Sequence, residues 1–236
     1  DERAAIRLHG RAEALALSAS ESGEPLIAHY RTALRAFETA EVVSPDHAAA
    51  IANYGRALVQ VGDLHRSLEQ YDRALAMIEK VRANKSHTLN EGDTFLMMRG
   101  RGRALQEMGR FGDAEQAFRA AIDLASKSSG PNHVLTKQLR GDLAWLLHSM
   151  DRRDEAWREI AAVDASEAPR SSNINGLEQV RVHRARMLLA EAQFAEARMQ
   201  VAIAIERWKK AGTNPLRLRD AEKLLATIDA AETAKR

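Results

Sequence analysis

Residues Arg99–Phe118 read RGRGRALQEMGRFGDAEQAF, with Gly100, Gly102, Gly109 and Gly112 set among Arg99, Arg101, Arg103 and Arg110. The stretch invites three readings: a phosphate-cradling loop, an arginine–glycine tract that grips RNA, or helix punctuation. A phosphate loop needs a preceding strand and a Lys followed by Ser or Thr, and the stretch offers neither. An RNA-gripping tract is low in complexity, whereas Met98, Leu105, Met108 and Phe111 keep helical apolar spacing. The glycines therefore read as punctuation. Gly102 is expected at a helix crossing and Gly109 at a helix end. Gly112 falls in the same turn, and Asp113 suits the positive start of the next helix.

The stretch has a copy. GRALVQVGDLHRSLEQYDRAL begins at Gly55 and GRALQEMGRFGDAEQAFRAAI at Gly102. Gly55, Leu58, Gly62, Tyr71 and Ala74 align with Gly102, Leu105, Gly109, Phe118 and Ala121. Weaker copies begin at Ala144, with Leu147, Ala156, Ile160 and Val163, and at Ala185, with Leu188, Phe194, Ala197, Val201 and Ala204. The N-terminal region offers Ala14, Tyr30 and Ala33. The starts at 14, 55, 102, 144 and 185 step by 41, 47, 42 and 41 residues. Glycine inside a helix costs up to ~1 kcal/mol against alanine, so Gly55 and Gly102 are expected where helices approach most closely.

This alternation of small and large residues over helix pairs resembles the tetratricopeptide repeat. The resemblance covers nearly the whole chain and is strongest in the second and third copies. The steps exceed the about 34 residues of a standard unit, so longer helices and connectors near 83–93, 126–133 and 164–175 are expected. The starts SPDH (Ser44–His47) and GPNH (Gly130–His133) place Pro at a first helical position. Long units that begin this way look like the kinesin-light-chain type. The resemblance implies an all-α, right-handed α-solenoid of about five helix pairs plus a C-terminal capping helix, in one domain over 1–236. Its repeats lie near 7–43, 48–90, 95–136, 137–177 and 178–213, with the cap at 215–234. Eleven helices are expected near 2–21, 25–40, 46–61, 64–82, 93–108, 111–128, 132–149, 152–163, 175–191, 194–211 and 215–234. The SEAPRSSNING stretch reads as a connector. The turn position that is usually Gly holds Asp151 in the fourth repeat and Ala192 in the fifth.

Composition narrows function. Of 236 residues, 35 are Lys or Arg and 33 Asp or Glu, a net charge of +2. That balance gives little reason to expect nucleic acid as a partner. With no cysteine there are no disulfides and no thiolate metal sites. No apolar run approaches the ~20 residues of a membrane span. The charged start DERAAIRLHG argues against a signal peptide, and its lack of Met suits a piece of a longer polypeptide; a cytoplasmic location is expected. The eight histidines show no HExxH spacing, and His47, His65 and His87 follow the repeats. No GxSxG elbow is present. No enzyme, metal or cofactor is expected.

In tetratricopeptide arrays the first (A) helix of each pair lines the concave face. Carried over position by position, the resemblance makes Arg11, Asn53, Arg56, Gln60, Arg99, Arg103, Gln106, Trp145, His148 and Arg186 the ligand-facing residues. Five of these ten are Arg, which implies a basic groove for an acidic peptide. Chaperone-binding relatives clamp a terminal carboxylate, and Arg11, Asn53, Arg99 and Arg103 match that clamp, but Leu15 stands where its first Asn belongs. The competing reading is that these arginines are solvated or tied to neighbours, as Arg103 to Glu107 four residues on. The expected function is a non-catalytic protein- or peptide-docking scaffold, part of a larger regulatory protein. A small-ligand or signalling-peptide sensor is the alternative, with RNA binding behind it.

Overall fold

The computed structural model describes residues 1–18, 23–85, 88–165, 177–212 and 215–235. Among them are eleven helices and no strand: α1 Glu2–Ser18, α2 Glu24–Thr39, α3 Pro45–Gln60, α4 Leu64–Asn84, α5 Glu91–Glu107, α6 Phe111–Ser129, α7 Val134–Ser149, α8 Arg153–Asp164, α9 Glu178–Ala190, α10 Phe194–Ala211 and α11 Pro215–Lys235. The architecture is an all-α helical repeat, and the helix bounds fall within a few residues of those expected. The SEAPRSSNING connector and His87 lie outside the described residues. None of the described helices is long and apolar enough to cross a membrane.

The chain separates into two compact units, Asp1–Ala117 and Phe118–Arg236. In the first, α1 pairs with α2 and α3 with α4, while α2 packs on α3 and α4 on α5. The A helices α1, α3 and α5 are also neighbours. Ile27, Tyr30, Phe37, Ile51, Leu58 and Ile78 form the centre of its core, each contributing about 1.5–3 kcal/mol of apolar burial. In the second, α7 pairs with α8, α9 with α10, and α7 packs on α9. The cap α11 lies on α10, with Leu218, Ala221, Leu224, Leu225 and Ile228 against Val201, Ile205 and Trp208.

Small residues do set the crossings. A Cβ on Gly55 would stand 3.3 Å from both the Gln70 Cβ and the Ser67 carbonyl, and Ser67 Oγ donates to the Gly55 carbonyl at 2.8 Å. The tightest approach of the opening stretch is at Gly100, where a Cβ would sit 2.3 Å from the Tyr71 ring. Gly102 is buried. Gly100 aligns with Asn53 of the previous repeat, so no recurrence signalled it. In the first repeat Ala14, expected at the small position, is exposed and Ala12 is fully buried. The true register lies two residues earlier.

The SPDH start is as expected: Ser44 Oγ accepts from the His47 N–H and Pro45 opens α3. The GPNH start is not. Pro131 lies in a turn, and α7 begins at Val134 with the His133 ring as its cap. Thus α3 starts ten residues before Gly55 and α7 ten before Ala144. The two helices begin in step, although their prolines do not.

The A-to-B turns share one geometry. Gly62, Gly109, Asp151 and Ala192 have φ of 81°, 73°, 60° and 58°. Each donates its N–H three residues back, to Val59, Gln106, His148 and Leu189, and the following N–H reaches Leu58, Leu105, Leu147 and Leu188. The left-handed region costs a residue with a Cβ about 1–2 kcal/mol. Ala192→Gly is therefore expected to raise stability by up to ~1 kcal/mol despite the more flexible unfolded chain, measured as a higher urea midpoint. A lower midpoint would show that Ala192 is not strained.

Candidate functional site

The A-helix face of the first unit is built around Asn53. Its amide Nδ2 lies 2.6 Å from Glu13 Oε1 and 3.1 Å from His9 Nε2. An amide that donates to His9 requires a neutral imidazole. That agrees with burial, which holds this imidazole below its ordinary value, against the opposing pull of Glu13 and Asp46. His9 and Glu13 thus hold the places expected for Arg11 and Leu15. Arg11 is exposed. The two-residue shift of register is the reason, and it closes the carboxylate clamp: its Asn already serves an internal carboxylate.

Around Asn53 the face carries both signs of charge. Burial raises the Asp93 carboxyl above the usual range, and the Asp46 and Glu13 carboxylates add to the shift. Asp46 and Asp93 open α3 and α5 at equivalent repeat positions. Ten residues along each helix, or about 15 Å, stand Arg56 and Arg103. Both are exposed, and both pull down the hydroxyl of the buried Tyr71, which burial pushes up. Arg56 also lies beside the buried Tyr30 hydroxyl, short of hydrogen-bond geometry, and opposes the upward push of burial there. The face that carries the arginines thus also carries acids: Asp46 and Asp93 sit at helix starts, where they complement the dipole, and Glu13 sits late in α1.

The pairing of the arginines sorts them further. Arg101 reaches Asp72 at 2.6 Å, Arg110 Asp113 at 2.6 Å, Arg73 Glu38 at 2.9 Å and Arg66 Asp63 at 3.0 Å. Among the described residues no carboxylate lies within ion-pair distance of Arg56 or Arg103, and the pair expected between Arg103 and Glu107 does not form. Gln60 is exposed, while Arg99 and Gln106 are half-buried on the same helices.

The second unit brings together Trp145, His148 and Arg186. The half-buried indole is stacked near parallel to His148 and His183 at 6.2 and 6.1 Å, with the Arg186 guanidinium 5.6 Å from its ring centre. Cation–π attraction holds Arg186 there. Beneath, His183 Nε2 meets Asp142 Oδ1 at 3.0 Å, both nearly fully buried. Glu191 accepts from Trp157 Nε1 at 2.8 Å and lies 3.4 Å from His148. Sequence reasoning missed Asp142, His183 and Glu191, because polar residues on helices read as solvated unless their partners, here 34 or more residues away, are known. Among the described residues no group of three or more His, Asp or Glu could hold a metal.

Models of the tetratricopeptide repeat match residues 13–80 and 93–156. The chain belongs to the tetratricopeptide-repeat family. Three solved structures show the same fold. A Rap protein complexed with competence and sporulation factor is 14% identical, with 100% of this chain and 66% of that one covered at a TM-score of 0.60. Aspartyl phosphate phosphatase F from Bacillus subtilis is 10% identical, with 98% and 60% covered at 0.63. Nearly identical TPR-like repeats of a Podosopora anserina kinesin light chain are 18% identical, with 82% and 98% covered at 0.51. The chain thus spans 60% of the phosphatase and 66% of the Rap protein. No curated protein sequence matches it. In tetratricopeptide terms, Arg56, Arg103, Trp145 and Arg186 all occupy the position just after the small residue of helix A. The fold is generally a non-catalytic scaffold for protein–protein interaction, and this tetratricopeptide protein has that architecture.

Proposed function

We propose that the chain is a non-catalytic docking module of a larger regulatory protein, and that Arg56 and Arg103 anchor an acidic stretch of a partner peptide. One observation carries this reading. The two guanidinium groups stand at the same repeat position on adjacent A helices, exposed and without carboxylates in ion-pair range. A planar guanidinium binds a carboxylate through two parallel hydrogen bonds, and two at one level select spaced Asp or Glu side chains. Asp46 and Asp93 repel such a ligand from the other end of the face, so its acidic part is expected at the arginine end, where the Glu13 carboxylate on α1 is engaged by Asn53. Arg99, Gln60 and Gln106 extend that end along the same helices, whereas Arg11 has no part in it. A signalling peptide as the occupant is the second reading, favoured by the Rap protein complexed with competence and sporulation factor, whose fold matches along the whole of this chain.

An array of acidic, basic and neutral peptides tests the charge reading. The wild-type chain is expected to retain acidic peptides, and Arg56→Glu with Arg103→Glu to weaken them at least about tenfold, with helicity unchanged. Retention of basic peptides instead, or unaltered binding by the double variant, would overturn the assignment.

A further inference from the structure

The second unit contains a cavity of about 230 Å³ that has no part in the peptide-docking face. Helices α7, α8, α9 and α10 enclose it. Its apolar wall is Ile160, Val163, Leu177 and Val180, and its polar wall carries three cations, Lys137, Arg181 and Arg184, with Gln200 and one carboxylate, Asp164. The volume falls below the roughly 300–1,000 Å³ of pockets that take drug-sized ligands, so an occupant is small.

The three cations are not equivalent. Arg184 is held between two carboxylates, Asp164 at 2.9 Å and Glu196 at 3.2 Å, although its Nε is also buried without a hydrogen-bond partner among the described residues. Arg181 donates from Nη1 to the neutral Oε1 of Gln200 at 2.9 Å. Its Nε is buried without a hydrogen-bond partner among the described residues. Burial lowers the proton affinity of Arg181, and Arg207 and Arg184 lower it further, while Glu178 and Asp164 offset this in part. Lys137 is only 2% exposed. Arg207, beyond the cavity wall, is committed to Glu178 at 3.0 Å. A half-buried guanidinium with a buried, unused Nε donor, beside like charges and an aliphatic wall, is stabilised by an anion carrying its own apolar group.

We propose that this cavity binds a carboxylate attached to a compact aliphatic group, with the carboxylate on Arg181 and the aliphatic part against Ile160, Val163 and Val180. Two sources share that chemistry: a free branched-chain carboxylic acid, and the C-terminal residue of a peptide ending in Leu, Ile or Val. The site uses no residue of the Arg56–Arg103 face, so it stands or falls apart from the docking function.

Titration calorimetry on the full chain with 4-methylpentanoate, N-acetyl-leucine and Gly-Gly-Leu, each against its amide, tests the proposal. Saturable binding of the acids is expected, with a loss of at least about tenfold on replacing carboxylate by amide, because the charge-assisted hydrogen bonds disappear. Stronger binding of Gly-Gly-Leu identifies a peptide terminus as the occupant, and stronger binding of 4-methylpentanoate a free acid. Arg181→Gln is expected to abolish binding and Arg181→Lys to retain part of it, with helicity as the folding control. The acid–amide comparison needs only the wild-type chain. Equal binding of acids and amides, no binding by any probe up to about 10 mM, or full affinity in folded Arg181→Gln would overturn it.

Discussion

Replacing His183 by Leu is expected to destabilise the chain by about 3 kcal/mol or more, and Asp142→Leu by a similar amount. The two side chains meet at 3.0 Å and are 4% and 2% exposed, so neither has water in reserve. Removing one partner of such a pair takes the closest opposite group from the other in a low-dielectric interior, at a cost of roughly 3–5 kcal/mol. Removing both leaves no charge to strand. The double variant His183→Leu with Asp142→Leu is therefore expected to lose clearly less than the sum of the single losses. Urea denaturation of the four proteins measures the coupling. Strictly additive losses would show that the pair is two independent contacts. The consequence extends to Trp145, which is stacked on His183: its fluorescence is expected to change in both single variants.

Gly141→Leu is expected to cost about 3 kcal/mol. Even a Cβ at this position would lie 2.7 Å from Val180 Cγ2, 3.0 Å from Cγ1 and 3.2 Å from its Cβ. Val180 is 6% exposed and branched at Cβ, so its methyls cannot swing aside as the tip of a long side chain could. Overpacking of this kind costs about 1–3 kcal/mol, and leucine adds three more carbons beyond the first. The higher helix propensity of leucine returns less than ~1 kcal/mol. Gly141→Ala is expected to lose less, since the propensity gain then opposes a smaller clash. A melting temperature for Gly141→Leu equal to that of the wild type would mean that α7 and α9 separate freely at this point. Gly112, which has nothing within 4 Å of where a Cβ would sit, supplies the control: Gly112→Ala should be neutral or stabilising.

The sequence by itself determined the helices, their pairing and the family. These follow from short-range physics: apolar spacing sets each helix, glycine or a tolerated substitute sets each turn, and a small residue recurring about every 42 positions marks each crossing. Even the turns at Asp151 and Ala192, where glycine is missing, kept their geometry, because the surrounding hydrogen bonds impose a positive φ that the side chain only makes costlier. The site was legible in part. Arg56 and Arg103 could be placed on one face from their position beside the repeating glycines. Only the tertiary structure decided that His9 and Glu13, rather than Arg11, serve Asn53, and that Gly100 and Gly141 are the tightest approaches. It alone showed that Arg181 faces a cavity with an unused donor. Each of those outcomes depends on which residue of a distant helix lies opposite. A two-residue slip in α1 leaves its amphipathic pattern nearly unaltered yet changes the charge presented to its neighbour, and no local pattern records the difference.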